Sequence, residues 1–220
     1  MPILDYIIVA VAAYLLGSIP TGFLVAKAKG IDIRSVGSGN IGATNAMRVL
    51  GKPAGIFVLL MDALKGFGAV WLCQVWLLYS MPPELAGVQP TNFGTYPIVA
   101  GIFAVLGHNY TCWLKFKGGK GIATTAGVFL ALAPWAVLVA LAIFILAVLV
   151  TKYVSIGSIA AAIALPATVW IMTPQNIFLG IVSTALGALA IYKHKSNIHR
   201  LMAGTENRLG KKSSTPETTK

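Results

Sequence analysis

The feature that most constrains this 220-residue chain is a series of long apolar stretches. They lie at roughly 3–26, 53–79, 96–114, 122–150, 155–172 and 176–192. Most are near the ~20 residues that a helix needs to cross a bilayer. Hydrophobic residues make up 57% of the chain and charged residues only 10%. The sequence therefore predicts an all-α integral membrane protein, with a single transmembrane domain over 1–210 and a disordered basic tail over 211–220.

Most basic residues lie in connecting segments that would face the same side of the membrane. Lys and Arg follow the first, third, fourth and last apolar runs, whereas the stretch 80–95 and the turn around Pro174 contain none. Under the positive-inside rule, the basic segments are cytoplasmic and the N-terminus lies outside. The net charge of +11 suits anionic lipid head groups. Nucleic acid is not predicted as a partner, because the basic clusters are short and lie next to the membrane.

An outside N-terminus and a cytoplasmic C-terminus require an odd number of spans. The run 122–150 contains Pro134, which disfavours helix in the residue before it. We therefore divide this run into two spans at roughly 122–133 and 135–150, the first of them short and sheltered among its neighbours. This gives seven transmembrane helices, some short or broken. The alternative is a bent single span, with five or six crossings in total.

The first polar segment reads GSGNIGATNAMR over residues 37–48. Its three glycines allow backbone amides to approach a ligand closely, and its Arg supplies a forked cation. Such a loop is typical of phosphate binding. The alternative is a capped helix start, with Ser38 or Asn40 as the N-cap. The candidate ligand-binding residues are Ser38, Gly39, Asn40, Gly42, Thr44, Asn45 and Arg48.

The second polar segment reads KFKGGKGIATT over residues 115–125, between the third apolar run and the next. Glycine amides followed by a helix N-terminus form an anion site, and three lysines strengthen its positive potential. The segment is not a Walker A loop, because Gly121 follows Lys120 and Leu114 stands where that motif has its first glycine. The candidate residues here are Lys117, Gly118, Gly119, Lys120, Gly121 and Thr124.

The third polar segment, HKSNIHRLMAGTEN over residues 194–207, follows the last apolar run. On a helix, His194 and Asn197 share a face, and His199 points elsewhere. We expect this pair to face the other two segments. The alternative is a basic anchor that faces lipid.

A few polar residues lie inside or at the ends of the apolar runs. Asp62 and Lys65 are three residues apart and either pair as a buried structural bridge or act beside the substrate. His108 lies near the cytoplasmic end of the third run, where it either binds substrate or bonds a neighbouring helix. Ser155 either lines the same pocket or packs between helices.

Three further short motifs lie before or between the polar segments, namely GSIP at 17–20, GHN at 107–109 and SIGS at 155–158. Together with the polar segments, they extend over nearly the whole chain. The chain resembles the acyl-phosphate-dependent glycerol-3-phosphate acyltransferases of bacterial phospholipid synthesis. The resemblance implies transfer of a fatty acyl group from acyl phosphate to the 1-hydroxyl of glycerol 3-phosphate, at the cytoplasmic face of the bacterial plasma membrane. The products are 1-acyl-glycerol 3-phosphate, which is lysophosphatidate, and inorganic phosphate.

The resemblance also implies roles for individual residues. The family's motifs carry a Ser and an Arg, a glycine-rich phosphate loop, and a His, an Asn and a Glu, the last regarded as mainly structural. The expected catalytic residues are Ser38, Arg48, Lys120, His194 and Asn197, and the expected structural carboxylate is Glu206. Because acyl phosphate is already an activated mixed anhydride, our hypothesis is that the leaving phosphate itself takes the hydroxyl proton, with His194 and Ser38 orienting the reactants. The alternative is that His194 acts as the general base.

No metal or other cofactor is predicted, because carboxylates and imidazoles do not cluster with ligand spacing. The soluble enzyme that makes acyl phosphate is a plausible partner, since handover at the membrane would limit hydrolysis of this reactive compound. The sequence leaves two other functions open. A transporter for a phosphorylated solute would need polar groups that continue to the outer face, and a flippase-like lipid binder would not need two phosphate loops.

Overall fold

The computed structural model describes residues 3–80 and 94–210, and every regular element within these ranges is helical. The predicted tail over 211–220 and most of the stretch 80–95 lie outside the described residues. The helices are α1 (Ile3–Ser18), α2 (Thr21–Lys27), α3 (Ala43–Leu50), α4 (Lys52–Ser80), α5 (Tyr96–Asn109), α6 (Ile122–Leu132), α7 (Pro134–Thr151), α8 (Val154–Met172), α9 (Ile177–Lys193) and α10 (Lys195–Met202), with a short 3₁₀ turn at Cys112–Leu114.

The helices are long and apolar enough for a multi-pass membrane protein. Five segments can cross a bilayer by length and composition, namely Ile3–Lys27, Lys52–Ser80, Tyr96–Leu114, Pro134–Thr151 and Val154–Met172. A sixth is formed by α9 and α10 if this pair, bent by 52°, is taken as one span. The all-helical membrane architecture is thus confirmed. The number of seven crossings stays a prediction.

The apolar run 122–150 is divided into two helices, as its proline predicts. Helix α6 ends at Leu132 and α7 begins at Pro134, with Ala133 between them in a non-helical conformation (φ −151°, ψ 70°). The proline ring disfavours helix in the residue before it, which accounts for the break. At 1.5 Å per residue, α6 is only about 16 Å long. Its side chains include the fully buried Phe129, so this short helix is sheltered by its neighbours as expected.

Close backbone contacts between helices are made at glycines. On α4, a Cβ at Gly66 would overlap the carbonyl of Thr124, and on α6 a Cβ at Gly127 would overlap the carbonyl of Ala63. Small residues at such crossings let helix backbones approach closely, which is the usual packing mode in membranes. Gly17 of α1 packs on α5 in the same way. This packing fixes α6, and with it the second polar segment, which continues into the first turn of α6.

A buried ion pair lies inside the helix bundle. Lys65 Nζ lies 2.9 Å from Asp62 Oδ1, and both side chains are about 95% buried. Lys65 also donates to the carbonyl oxygen of Ile19 at 2.9 Å, and the Nδ1 atom of His108 lies 3.6 Å from the same Asp62 oxygen. Asp62 and Lys65 thus form the buried ion pair that was one of the two alternatives, and a role beside the substrate stays a prediction. Lys65 thereby ties α4 to the end of α1, and Asp62 lies next to His108 of α5.

The substitution Gly66→Ala tests the close α4–α6 contact. The added methyl group presses on the carbonyl of Thr124, so we expect a loss of about 1–3 kcal/mol in the free energy of unfolding. The matched control is Gly68→Ala on the same helix, because a Cβ at Gly68 meets no atom within 4 Å. This control should be neutral or stabilising, since Ala is favoured over Gly in helices by about 1 kcal/mol. Equal shifts in the thermal unfolding midpoint of the two variants in detergent would contradict the packing described.

Candidate active site

The loop between α2 and α3 is held in shape by the side chain of Asn45, which is 1% exposed. Its Oδ1 atom accepts a hydrogen bond from the amide of Ser38 at 2.8 Å. Its Nδ2 atom donates to the carbonyl oxygens of Ile33, Val36 and Asn40 at 2.9–3.2 Å. The amide group of Asn45 is thus engaged with the loop backbone. We predicted it as a ligand contact, but the structure places it as the internal brace of the loop.

Two glycines of the same loop have left-handed backbone conformations, Gly37 with φ 60° and Gly39 with φ 69°. Residues other than glycine are disfavoured in this conformation. The backbone alone therefore accounts for both glycines, and ligand binding is not needed to explain them. Helix α3 begins at Ala43 with Gly42 as its N-cap residue, and no side chain caps it. The side chain of Asn40 instead accepts from the Gly42 amide at 2.8 Å. The alternative in which Ser38 or Asn40 is the N-cap is therefore wrong.

The second segment is folded back on the end of α5. The amide of Gly118 donates to the carbonyl of Asn109 at 3.2 Å, and the amide of Gly119 donates to the carbonyl of His108 at 3.0 Å. A Cβ on Gly118 would overlap the His108 carbonyl, and one on Gly119 would overlap the His108 imidazole. These glycines therefore permit close packing. Our expectation that these two amides donate to a ligand is corrected by this geometry.

The side chain of His108 packs against the backbone of the second segment. Its side chain is 4% exposed, with one edge toward Asp62 and the other beneath Gly119. The imidazole therefore packs between α4 and the second segment, and its Nδ1 atom, 3.6 Å from Asp62 Oδ1, lies beyond hydrogen-bond distance. Both alternatives raised by the sequence for His108 stay predictions. The carbonyl of the next residue, Asn109, also accepts from Lys193 Nζ at 3.1 Å. The end of α5 thus joins the second segment to the third.

The third segment starts at the bend between α9 and α10. His194 lies at this bend and is 3% exposed. Its Nδ1 atom lies 2.7 Å from the carbonyl oxygen of Ala190. A carbonyl can only accept, so Nδ1 carries the hydrogen and Nε2 is the acceptor in a neutral ring. His199 is exposed, as its helix position predicts.

A hydrogen-bonded network joins the second segment to the third. Lys120 Nζ donates to Asn197 Oδ1, and Asn197 Nδ2 donates to Glu206 Oε1 at 2.7 Å. The other carboxylate oxygen of Glu206 accepts from Arg200 Nε at 2.7 Å. Burial raises the pKa of Glu206, but the bonds from Asn197 and Arg200 outweigh burial and hold that pKa below its usual value. Glu206 is therefore an ionised brace, in line with the structural role implied by the resemblance.

The three segments meet around a cleft of about 160 Å³. Lys120, Lys193 and Arg200 supply three positive charges to its wall. Burial, followed by the charge of Arg200, lowers the pKa of the Lys120 ammonium to about 8. Such a concave cluster of cations attracts anions and raises their local concentration. The lining residues are Ser38, Gly39, Asn40, Gly118, Gly119, Lys120, Lys193, Ser196 and Arg200.

The cleft contains residues that the sequence reasoning did not select, namely Lys193, Ser196 and Arg200. All three belong to the third segment or directly precede it, so the segment was located correctly but its cleft-facing residues were not. The available signal was the high density of Lys and Arg over 193–200. Several predicted residues lie outside the lining: Gly42, Thr44, Asn45, Arg48, His108, Lys117, Gly121, Thr124, Ser155, His194 and Asn197.

Among these outlying residues, Arg48 and Thr44 are exposed on α3, beside the loop that bears Ser38. The part of the Arg48 side chain that is buried lowers the pKa of its guanidinium, and the charge of Glu206 opposes that effect. Arg48 is therefore close enough to sense the Lys120–Glu206 network. Direct contact of Arg48 with a substrate stays a prediction.

The comparisons with known proteins agree with one another. A family model described as glycerol-3-phosphate acyltransferase matches residues 7–204. A protein of that name from Geotalea daltonii is 46% identical over 201 residues, covering 91% of this chain and 96% of the relative. One from Trichlorobacter lovleyi is 50% identical over 196 residues, covering 89% and 93%.

Two solved structures are also similar. Both are crystal structures of PlsY (YgiH), described as an integral membrane glycerol 3-phosphate acyltransferase. The glycerol 3-phosphate form superposes with a TM-score of 0.82 at 37% identity, over 93% of this chain and 96% of that one. The lysophosphatidic acid form gives a TM-score of 0.79 at 36% identity, over 93% and 95%.

The substitution Asn45→Asp tests the brace of the first loop. Asp keeps an acceptor for the Ser38 amide but replaces the Nδ2 donor with an oxygen that faces three carbonyls. We expect a loss of about 1–3 kcal/mol in the free energy of unfolding, the cost of leaving buried groups unpaired. The control is Thr44→Ala, an exposed neighbour expected to change stability by less than about 0.5 kcal/mol. If thermal unfolding and protease resistance of the loop are the same for both variants, Asn45 does not brace it.

Proposed function

The chain belongs to the glycerol-3-phosphate acyltransferase family, and on this premise we propose that it transfers a fatty acyl group from acyl phosphate to the 1-hydroxyl of glycerol 3-phosphate. The products are lysophosphatidate and inorganic phosphate. The observation that carries the proposal is the cleft where three polar segments meet, with Lys120, Lys193 and Arg200 in its wall. Both substrates are phosphorylated, so a cationic cleft suits each of them.

The reaction needs little covalent participation by the protein, because acyl phosphate is already an activated mixed anhydride. The hydroxyl oxygen of glycerol 3-phosphate attacks the carbonyl carbon, and the bond from that carbon to the phosphate oxygen breaks. The hydroxyl proton passes to the leaving phosphate. The protein contributes by aligning the two reactants and by stabilising negative charge as it develops on the carbonyl oxygen and the leaving phosphate.

Individual residues take distinct parts in this proposal. Lys120 neutralises phosphate charge from the cleft wall, and Arg48 assists it from the exposed edge of α3. Ser38 lines the cleft and orients the reacting groups. Asn197 and Glu206 hold the Lys120 ammonium in place through their hydrogen bonds.

His194 can act in one of two ways in the proposed reaction. Because its Nδ1 hydrogen is directed to Ala190, the Nε2 atom of a neutral ring is an acceptor. That atom can orient the substrate hydroxyl by accepting its hydrogen bond, or it can remove the proton as a general base. We favour the orienting role, since the leaving phosphate is itself a proton acceptor beside the attacking oxygen.

We further propose seven spans, with the N-terminus outside and the cleft on the cytoplasmic face of a bacterial plasma membrane. In support, Thr111 after α5 donates to the carbonyl of Ser18 at the end of α1 at 2.6 Å. At the same end of the bundle, Leu209 donates to the carbonyl of Lys152 after α7 at 2.8 Å. These bonds support ends of α1, α5 and α7 on the cleft side, and in the proposed topology α6 and α7 leave that side and return. The soluble enzyme that makes acyl phosphate would then deliver its product at this face.

The donor is tested by acyl transfer to labelled glycerol 3-phosphate with protein reconstituted in lipid, in the presence of a chelator. We expect lysophosphatidate from acyl phosphate and none from acyl-CoA. Arg48→Ala should lower the rate by about 100-fold, the effect of removing one charge-stabilising group. The matched control is Arg34→Ala in the same loop, an exposed residue paired with Asp32 at 2.7 Å, which should retain activity. Activity with acyl-CoA alone, or with neither donor, would contradict the proposal.

The pH dependence of the reaction tests the part played by Lys120. Its pKa of about 8 means that the ammonium is charged below that pH and neutral above it. We therefore expect kcat/KM, which reports the free enzyme, to fall as the pH rises through about 8. Lys120→Arg keeps its charge at these pH values and should move this fall to higher pH, while Lys120→Met should be weakly active throughout without the same fall. An alkaline limb at the same pH in the wild type and in Lys120→Arg would show that another group causes it.

A further inference from the structure

The turn 112–117 connects α5 to the glycines of the second segment and carries two exposed aromatic side chains. Trp113 is 64% exposed and Phe116 is 63% exposed. Lys115 and Lys117 are exposed beside them. Within the described residues, neither aromatic ring has a stacking partner, and neither lysine forms an ion pair. Two unpartnered aromatic rings and two unpaired cations therefore lie within five consecutive residues.

The backbone of this turn is strained at two consecutive residues. Lys115 has φ 54° and Phe116 has φ 60°, both in the left-handed region. A Cβ crowds the backbone in that conformation, and glycine avoids the strain. Glycine at either position would therefore suit the backbone better than the residue present. Backbone geometry thus does not account for a lysine and a phenylalanine here.

The surrounding structure holds the strained turn in place. The amide of Phe116 donates to the carbonyl of Thr111 at 2.9 Å. The amide of Lys117 donates to the carbonyl of Leu114 at 3.1 Å. The Leu114 side chain is buried, and the Thr111 hydroxyl donates to the carbonyl of Ser18 at 2.6 Å. The exposed side chains of the turn are not used in these contacts, and strained residues are typical of sites that bind a ligand.

The turn lies at the boundary of the membrane. The segment Tyr96–Leu114 is long and apolar enough to cross a bilayer, so the residues at its end lie near a bilayer surface. Gly118 and Gly119, which follow the turn, line the cationic cleft, so this is the surface on the cleft side. Tryptophan is enriched at the level of the lipid head groups, and a lysine there extends its ammonium group toward water and the lipid phosphates. The position of the turn therefore suits a lipid ligand.

The charges near the turn favour an anionic lipid. The sequence contains no Asp or Glu between Glu84 and Glu206, so no carboxylate of this stretch neutralises the two lysines. Lysines at a membrane surface attract anionic lipids. A zwitterionic head group carries its own cation, which the lysines repel. A free phosphate ion would use the lysines but not the aromatic rings, whereas a phospholipid uses both.

We propose that the turn 112–117 binds one anionic phospholipid, with the head-group phosphate on Lys115 and Lys117 and the upper part of the hydrocarbon chains on Trp113 and Phe116. The aromatic rings supply apolar contact area. The lysines supply the charge that distinguishes an anionic lipid from a zwitterionic one. The bound lipid also restrains the first residues of the second segment, since this turn begins that segment.

The first test uses Trp113 as the single tryptophan, and its fluorescence is quenched by lipids with brominated chains. The fraction of brominated phosphatidylglycerol or of brominated phosphatidylcholine is raised in steps in phosphatidylcholine vesicles. We expect phosphatidylglycerol to be preferred by at least about fivefold in apparent association constant, the contribution of one lysine near an anionic surface. Inorganic phosphate at fixed ionic strength should not relieve the quenching, because it does not contact the rings. The tryptophans replaced by Phe are Trp71, Trp76, Trp135 and Trp170.

Single substitutions identify the groups responsible for the preference. Lys115→Gln should lower the preference for phosphatidylglycerol by about fivefold, because it removes one of the two cations. The matched control is Lys29→Gln, which removes the same charge from an exposed position after α2 and should keep the preference. Equal quenching by the two lipids, or an equal fall in both lysine variants, would overturn the inference. Relief of quenching by inorganic phosphate would overturn it as well, since the site would then take a free anion.

A second measurement keeps the natural tryptophans and follows the thermal unfolding midpoint in detergent. Phosphatidylglycerol should raise the midpoint more than phosphatidylcholine does, because a ligand that binds the folded state stabilises it. Phe116→Gly removes the ring and relieves the strain, so its midpoint without added lipid should be unchanged or higher, while its rise with phosphatidylglycerol becomes smaller. A lower midpoint without lipid, or an undiminished rise with phosphatidylglycerol, would contradict the role given to this ring. Neither measurement uses acyl transfer, so the result is independent of the proposed function.

Discussion

The candidate site depends on one buried carboxylate. Glu206 is bonded to Asn197 and Arg200, and Asn197 in turn accepts from the ammonium of Lys120. Without this negative charge, the cations from two distant parts of the chain would repel one another across a small cleft. The carboxylate compensates part of that repulsion and leaves a net positive charge facing the opening. A charged group that is buried this way needs both an opposite charge and hydrogen bonds, and Glu206 has both.

The membrane bundle supplies the positions of these groups. Helix α6, whose first turn lies within the second segment, is fixed to α4 by Gly66 and Gly127. The end of α5 holds the second segment through the carbonyls of His108 and Asn109. Because these supports are backbone contacts and buried polar bonds, the charged end of Lys120 is held in place before any ligand binds. Preorganised charge of this kind stabilises a transition state without a reorganisation cost.

Much of this arrangement was predictable from the sequence. The apolar runs predict the helices, Pro134 predicts the break between α6 and α7, and the glycines and cations of the three polar segments mark them as candidate anion sites. Hydrogen-bond partners were not predictable. The inward bonds of the Gly118 and Gly119 amides and the bracing role of Asn45 depend on which carbonyls lie nearby in three dimensions. Arg200 was missed because its partner, Glu206, lies beyond the end of α10.

The central claim is that the cationic cleft binds the phosphate of the substrate. The most direct measurement is an experimental structure of this protein in lipid with glycerol 3-phosphate bound. The account predicts the phosphate in the cleft, within hydrogen-bond distance of Lys120 Nζ and close to the side chains of Ser38 and Arg200. A phosphate bound elsewhere, with the Lys120–Asn197 bond intact and the cleft unoccupied at saturating glycerol 3-phosphate, would contradict it.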